Sequence, residues 1–142
     1  MCANSVLIVD DETKIIEVVK SFLESKGFTV FTAENGKQAL DIFDRENIAL
    51  IVLDLMLPDM TGEEICIQIR KKSRVPIIML TAKIEESDML KGLNIGADDY
   101  VTKPFTPMEL MARVNSQLRR YNRFQEALNK KEEKERSYMI GG

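Results

Sequence analysis

Five short runs of aliphatic, β-branched and aromatic residues, each followed by a helical pattern, constrain this chain more than any other feature. They are Val6–Val9, Phe28–Thr32, Ile48–Leu53, Val75–Leu80 and Asp99–Thr102, four to six residues each. Runs this short read as strands, and near-continuous apolar ones as strands buried on both faces. Between them, apolar residues recur at helical spacing, as in Ile15, Val18, Val19 and Phe22, or Leu110, Met111, Val114 and Leu118. Strand–helix alternation predicts an α/β fold, a parallel sheet with helices on both faces and right-handed crossovers. The natural small solution is a doubly wound five-stranded sheet in the order 2-1-3-4-5, with five helices and the last one extended.

Local signals punctuate the pattern. The first helix is expected near 12–26, stopped by Gly27. Asn35-Gly36 turns the chain into a second helix containing Ala39, Leu40 and Phe43. Leu57-Pro58-Asp59 breaks it, and Thr61 with Glu64 forms a capping-box pattern at the start of a third. A fourth helix is expected near 84–93, before Asn94-Ile95-Gly96. Thr106-Pro107-Met108-Glu109 opens the last, with a capping threonine and a proline at the first position.

The chemistry sits where these strands end. Asp10-Asp11 follows the first run, Asp54 the third, and Lys103-Pro104 the fifth. In such a sheet, sites form at the carboxyl ends of the strands, and the first and third strands are neighbours. Asp10, Asp11 and Asp54 would lie side by side with Lys103 close by. Clustered carboxylates stay ionised only beside a cation, which points to Mg²⁺. Carboxylates, Mg²⁺ and a lysine are the parts of a phosphoryl-transfer site.

Composition narrows the function. The chain has 142 residues, enough for one domain and an appendage. Its net charge of −3 gives no general attraction to nucleic acid or anionic lipid. No apolar stretch could span a bilayer, and Met1-Cys2-Ala3-Asn4-Ser5 lacks the parts of a signal peptide, so a cytoplasmic location is expected. Cys2 and Cys66 make neither a metal motif nor a disulfide framework. Histidine is absent, which excludes histidine triads and a phosphohistidine within this chain. Any histidine phosphodonor must be another molecule or a segment outside this sequence. After Leu118 the chain becomes rich in Arg, Lys and Glu. Val114, Leu118, Tyr121, Gln125 and Leu128 follow spacings of four and three, which suits either a solvated helix extension or a dimerising coiled coil.

Taken in order, Val9-Asp10-Asp11-Glu12, Asp54 with Leu55-Met56-Leu57-Pro58 and Gly62, Thr81-Ala82, Gly96-Ala97-Asp98-Asp99-Tyr100 and Lys103-Pro104-Phe105 form a specific signature. Over residues 4–120 the chain resembles the receiver domain of two-component response regulators, whose fold is flavodoxin-like. The segment from Gly96 to Phe105, with Glu109-Leu110 and Ala112-Arg113, looks most like the branch that usually carries a winged-helix DNA-binding domain. The resemblance implies a receiver over 1–120 and a charged helical extension or linker over 121–142.

It implies residue roles too. Asp54 would accept a phosphoryl group from a partner sensor histidine kinase or a small donor. Asp11 and Asp54 would bind Mg²⁺ directly and Asp10 through water, with the Met56 backbone carbonyl as a further ligand. Lys103, ahead of what is typically a cis bond to Pro104, would meet the phosphoryl oxygens. Thr81 and Tyr100 would form the switch, and Met56 and Lys83 would flank the site.

The output face would be the fourth helix, fifth strand and last helix, where Asp98, Asp99, Glu109, Arg113 and Arg120 match charges that pair in active homodimers. A basic residue usual in the fourth helix is replaced by Met89, with Lys91 nearby. The resemblance describes a signalling switch that catalyses only its own phosphotransfer and dephosphorylation. The charge balance, and a tail without an aromatic-interleaved basic face, predict no membrane contact and no direct nucleic-acid contact by this chain. Three other readings compete. A Mg²⁺-dependent aspartyl phosphatase of the haloacid-dehalogenase type would need an Asp where Met56 stands. A Rossmann-like domain would need a Gly-rich turn where Asp10-Asp11-Glu12 stands. A phosphorylation-independent receiver would be expected to have a degenerate site.

Overall fold

The computed structural model describes residues 4–82 and 96–140, the last ten through their backbone alone. Five strands, β1 (Ser5–Val9), β2 (Thr29–Ala33), β3 (Leu50–Asp54), β4 (Ile77–Thr81) and β5 (Asp99–Thr102), form one sheet in the order β2-β1-β3-β4-β5. Every pairing is parallel, as the strand–helix alternation requires. The described helices are α1 (Thr13–Ser25), α2 (Gly36–Arg45), α3 (Gly62–Arg70) and α4 (Pro107–Ile140). The helix expected near 84–93, with Lys83, Met89 and Lys91, lies outside the described residues.

The apolar runs are continuous because both sheet faces are covered. Val6, Ile8, Val52, Leu80 and Val101 pack with Ile16, Val19 and Leu23 of α1 and Leu110, Val114 and Leu118 of α4. Leu7, Val9, Leu53, Met79 and Tyr100 face the other way, toward Ala39 of α2 and Ile65, Cys66 and Ile69 of α3. Each fully buried Leu or Ile contributes about 1.5–3 kcal/mol, so the central strands dominate stability. β2 is an edge strand with an exposed first residue, which is why its pattern alternates.

Several strand limits shift from their sequence-based positions. Pro76 precedes β4 because it has no N–H for the ladder; its carbonyl still accepts from the Ile51 N–H at 3.0 Å. β3 starts at Leu50 and runs through Asp54. Asp54 and Thr81 are therefore the last residues of their strands.

The helix signals act as their chemistry dictates. Gly27 takes φ of +92° after α1, a conformation costly for any residue with a Cβ. Thr61 and Glu64 form the reciprocal capping box of α3, and Thr106 Oγ1 accepts from the Glu109 N–H at 3.1 Å. α4 buries Leu110, Val114 and Leu118, and then runs on past the domain. Its 34 residues span about 50 Å. Tyr121 remains half-buried against the core, its hydroxyl accepting from Gln125 Nε2 at 2.8 Å, while Phe124 and Leu128 are exposed.

Candidate functional site

The carboxyl ends of four strands finish level. Val9 pairs with Leu53, Asp54 with Leu80, and Thr81 with Thr102. The ladder continues one step into the loops. The N–H of Asp10 donates to the Ala33 carbonyl at 3.1 Å, that of Leu55 to Leu80 at 3.0 Å, and that of Lys103 to Thr81 at 2.7 Å. Sheet hydrogen bonds thus fix where the side chains of Asp10, Asp54 and Lys103 begin. Carboxylate oxygens of Asp10, Asp11 and Asp54 lie within 4.8 Å of one another. Asp10 is fully buried, Asp54 nearly so, and Asp11 exposed.

Lys103 joins the cluster. Its Nζ lies 3.0 Å from Asp10 Oδ2, 3.3 Å from Asp54 Oδ2 and 3.3 Å from Glu12 Oε1. The Lys103-Pro104 bond is cis. Asp10 Oδ1 accepts from the Glu12 N–H at 2.9 Å; Oδ2 has the lysine's charge but no aligned hydrogen-bond donor. Asp54 Oδ1 accepts from the Met56 N–H at 3.2 Å. Burial lifts the Asp54 pKa above the ordinary carboxylate value; the Met56 N–H opposes it, Asp10's charge adds to it, and Lys103 only partly offsets it. For Lys103, burial disfavours the ammonium, but Asp10 and Asp54 outweigh that and hold its pKa above the usual lysine value.

This pocket suits a hard divalent cation. Asp10, Asp11 and Asp54 bring three carboxylates together, every donor is oxygen, and one buried oxygen lacks an aligned hydrogen bond. Those are the ligands Mg²⁺ prefers.

The loop after β3 is pressed against the site by a glycine. A Cβ on Gly62 would lie 2.6 Å from the Asp54 backbone oxygen, closer than packing allows, and the Gly62 N–H donates to Leu55 at 2.8 Å. Met56, 72% exposed, stands on this loop and bridges to Thr61. Thr81 and Tyr100 are both buried on neighbouring strands. Tyr100 pairs with Met79, two residues before Thr81, so the two share one sheet face.

Among the expected output residues, two acids have internal partners. Asp98 Oδ2 accepts from Arg70 Nη2 at 2.6 Å and from the Ile77 N–H at 2.8 Å. Asp99 Oδ1 accepts from Arg113 Nη1 at 2.7 Å. Glu109 and Arg120 are exposed, and Met89 lies outside the described residues.

The residue patterns did not single out Arg70 or Asp59. Arg70 also donates to the Gly96 and Val75 carbonyls at 2.9 and 2.7 Å, tying the end of α3 to the starts of β4 and β5. Asp59 accepts from the Gly36 and Lys37 N–H groups at 2.8 and 3.0 Å, capping α2 from another loop. Nor did they reveal that Glu12 pairs with Lys103. Glu12 stood in the Val9-Asp10-Asp11-Glu12 signature and at a helix start, where short capping residues are preferred, and neither signal names a partner.

Comparison with known proteins places this edge of acids and lysine in a class. The sequence profile of the response regulator receiver domain matches residues 6–115. The chain therefore belongs to the response regulator receiver domain family of two-component systems. It is 51% identical over 122 residues to the regulatory protein VanR of Enterococcus faecium, covering 86% of this chain and 53% of that protein. It is also 51% identical over 117 residues to the probable transcriptional regulator ycf27 of Porphyra purpurea, covering 82% of this chain and 48% of that protein. The chain spans about half the length of these relatives. A CheY-like response regulator receiver domain protein from Methanospirillum hungatei superposes with a TM-score of 0.80 at 30% identity, over 85% of this chain and 98% of the other. No helix among the described residues is long and apolar enough to cross a membrane.

Proposed function

We propose that this domain is a phosphorylation-dependent switch whose phosphoacceptor is Asp54. The observation that carries the reading is the convergence of Asp10, Asp11, Asp54 and Lys103 at one sheet edge. Asp10, Asp11 and Asp54, with the Met56 carbonyl, would hold Mg²⁺. The ion supplies charge neutralisation for the oxygens of the incoming phosphoryl group. A carboxylate oxygen of Asp54 attacks phosphorus. The bond from phosphorus to the donor nitrogen breaks, and its electron pair leaves with the imidazole of a partner histidine kinase. Lys103 Nζ, already 3.3 Å from Asp54 Oδ2, turns a donor toward a phosphoryl oxygen and offsets its charge. Water later hydrolyses the acyl phosphate, in a chemistry directed at the domain itself.

The Thr81 hydroxyl then donates to the phosphoryl group, and Tyr100, already buried on the same sheet face, repacks behind it. This biases the face that includes β5 and the start of α4. Asp98, Asp99, Glu109, Arg113 and Arg120 would belong to that face, which would control a homodimer or another output in the cytoplasm; Met89, expected there too, lies outside the described residues. Residues 1–120 would be the receiver, and 121–142 a charged extension or linker toward a downstream module. The transcriptional-regulator description of a relative favours a DNA-binding module there; contact with DNA would belong to it.

The test is binding of Mg²⁺ with beryllofluoride, followed by NMR at Thr81 and Tyr100. Both signals should move in the native protein. In Lys103→Ala, Mg²⁺ binding should persist while the Tyr100 response is lost. A full response in that variant would remove Lys103 from its role.

A further inference from the structure

We propose that Glu12 is a positioning residue that competes with the incoming phosphoryl group for the Lys103 ammonium and so holds back phosphoryl uptake. The inference rests on the reading of Asp54 and Lys103 given above. Glu12 occupies the N-cap position of α1, with φ of −89° and ψ of 102°, yet its side chain makes no capping bond. Ser, Thr, Asp or Asn would serve that position better. Glu12 Oε1 instead lies 3.3 Å from Lys103 Nζ.

An ammonium has three N–H donors, and Lys103 faces three carboxylates. Its Nζ donates to Glu12 and Asp54 and is held by the charge of Asp10, so a phosphoryl oxygen draws the ammonium to itself against the pull of all three. Asp10 is fully buried, so releasing it would strand a charge away from water. Asp54 is the reacting group. The Glu12 side chain is 59% exposed, and water takes it over at little cost. It is therefore the contact that yields. Glu12 also stands on the wall of a groove of about 530 Å³, with Lys14, Ile15, Lys103, Pro104 and Phe105, so its charge meets an anionic donor approaching from there.

The experiment measures phosphoryl uptake from acetyl phosphate with Mg²⁺ in the native protein, Glu12→Gln and Glu12→Asp, with thermal midpoints taken on the metal-free proteins. In the reaction an Asp54 oxygen bonds to phosphorus, the bond from phosphorus to the acetate oxygen breaks, and acetate leaves with the pair. Glu12→Gln removes the charge. Glu12→Asp keeps it on a shorter side chain, which falls short of Lys103 but caps a helix better. Both variants should be faster by about two- to fivefold, the size of an exposed ion pair. Glu12→Asp should melt no lower than the native protein. A native protein that takes up phosphoryl while neither variant is faster overturns the role of Glu12 and leaves the phosphoacceptor reading standing. Acceleration in Glu12→Gln alone overturns competition for Lys103, because charge at the groove would then suffice. A native protein that takes up none overturns the parent reading itself.

Discussion

Asp10, Asp54 and Lys103 were legible in the sequence because each ends an apolar run, and the end of a parallel strand is a position in space as well as in sequence. Their partners were less so. Lys103 meets Glu12 across 91 residues and Arg70 meets Asp98 across 28, separations that no local pattern encodes. Gly62 lies between these cases. It was visible as a motif glycine, but its reason is the backbone of Asp54 and Leu55 lying where a side chain would go. Gly62→Ala should lower the unfolding free energy by about 1–3 kcal/mol, the usual penalty of overpacking. Because the loop lies against Asp54, it should also slow phosphoryl uptake. Urea titration and an uptake assay check both; a variant as stable as the native protein would contradict the close approach.

Between elements, the loop from β3 to α3 caps a different helix. Asn35 Oδ1 takes the Gln38 N–H, and the Asp59 carboxylate takes those of Gly36 and Lys37, so side chains satisfy three first-turn donors of α2. The Gly36 N–H, aided by that of Lys37, holds the Asp59 pKa below the ordinary carboxylate value. A depressed carboxyl stabilises the fold above its unfolded pKa, about 3.9, and loses that contribution as pH falls through the lower folded value. Asp59→Ala should therefore melt below the native protein at neutral pH, with the gap closing in acid. Thermal midpoints at several pH values check this, and a gap independent of pH would contradict it. The sequence showed Leu57-Pro58-Asp59 as a break and Asn35-Gly36 as a turn, but not that one caps the other.

Over the whole molecule, the doubly wound order followed from strand–helix alternation, and the parallel sheet has it. The tail was ambiguous for a physical reason: a stripe facing a domain and a coiled-coil seam share the same spacing. Val114 and Leu118 are buried, and Tyr121 and Gln125 half-buried, so the stripe begins as a face turned to the domain, whereas Leu128 is exposed. Asp98 and Asp99 are already paired within the chain, so a dimer on this face must share or redirect those pairs. Light scattering with Mg²⁺, before and after beryllofluoride, should show a monomer becoming a dimer; an unchanged mass with the analogue bound would assign the output to a different partner. The proposed switch rests on one covalent event. Intact-mass analysis with peptide mapping after exposure to acetyl phosphate and Mg²⁺ should find one phosphoryl group on Asp54 and none on the Asp54→Asn protein. An adduct that persists at another residue in that variant would contradict the account.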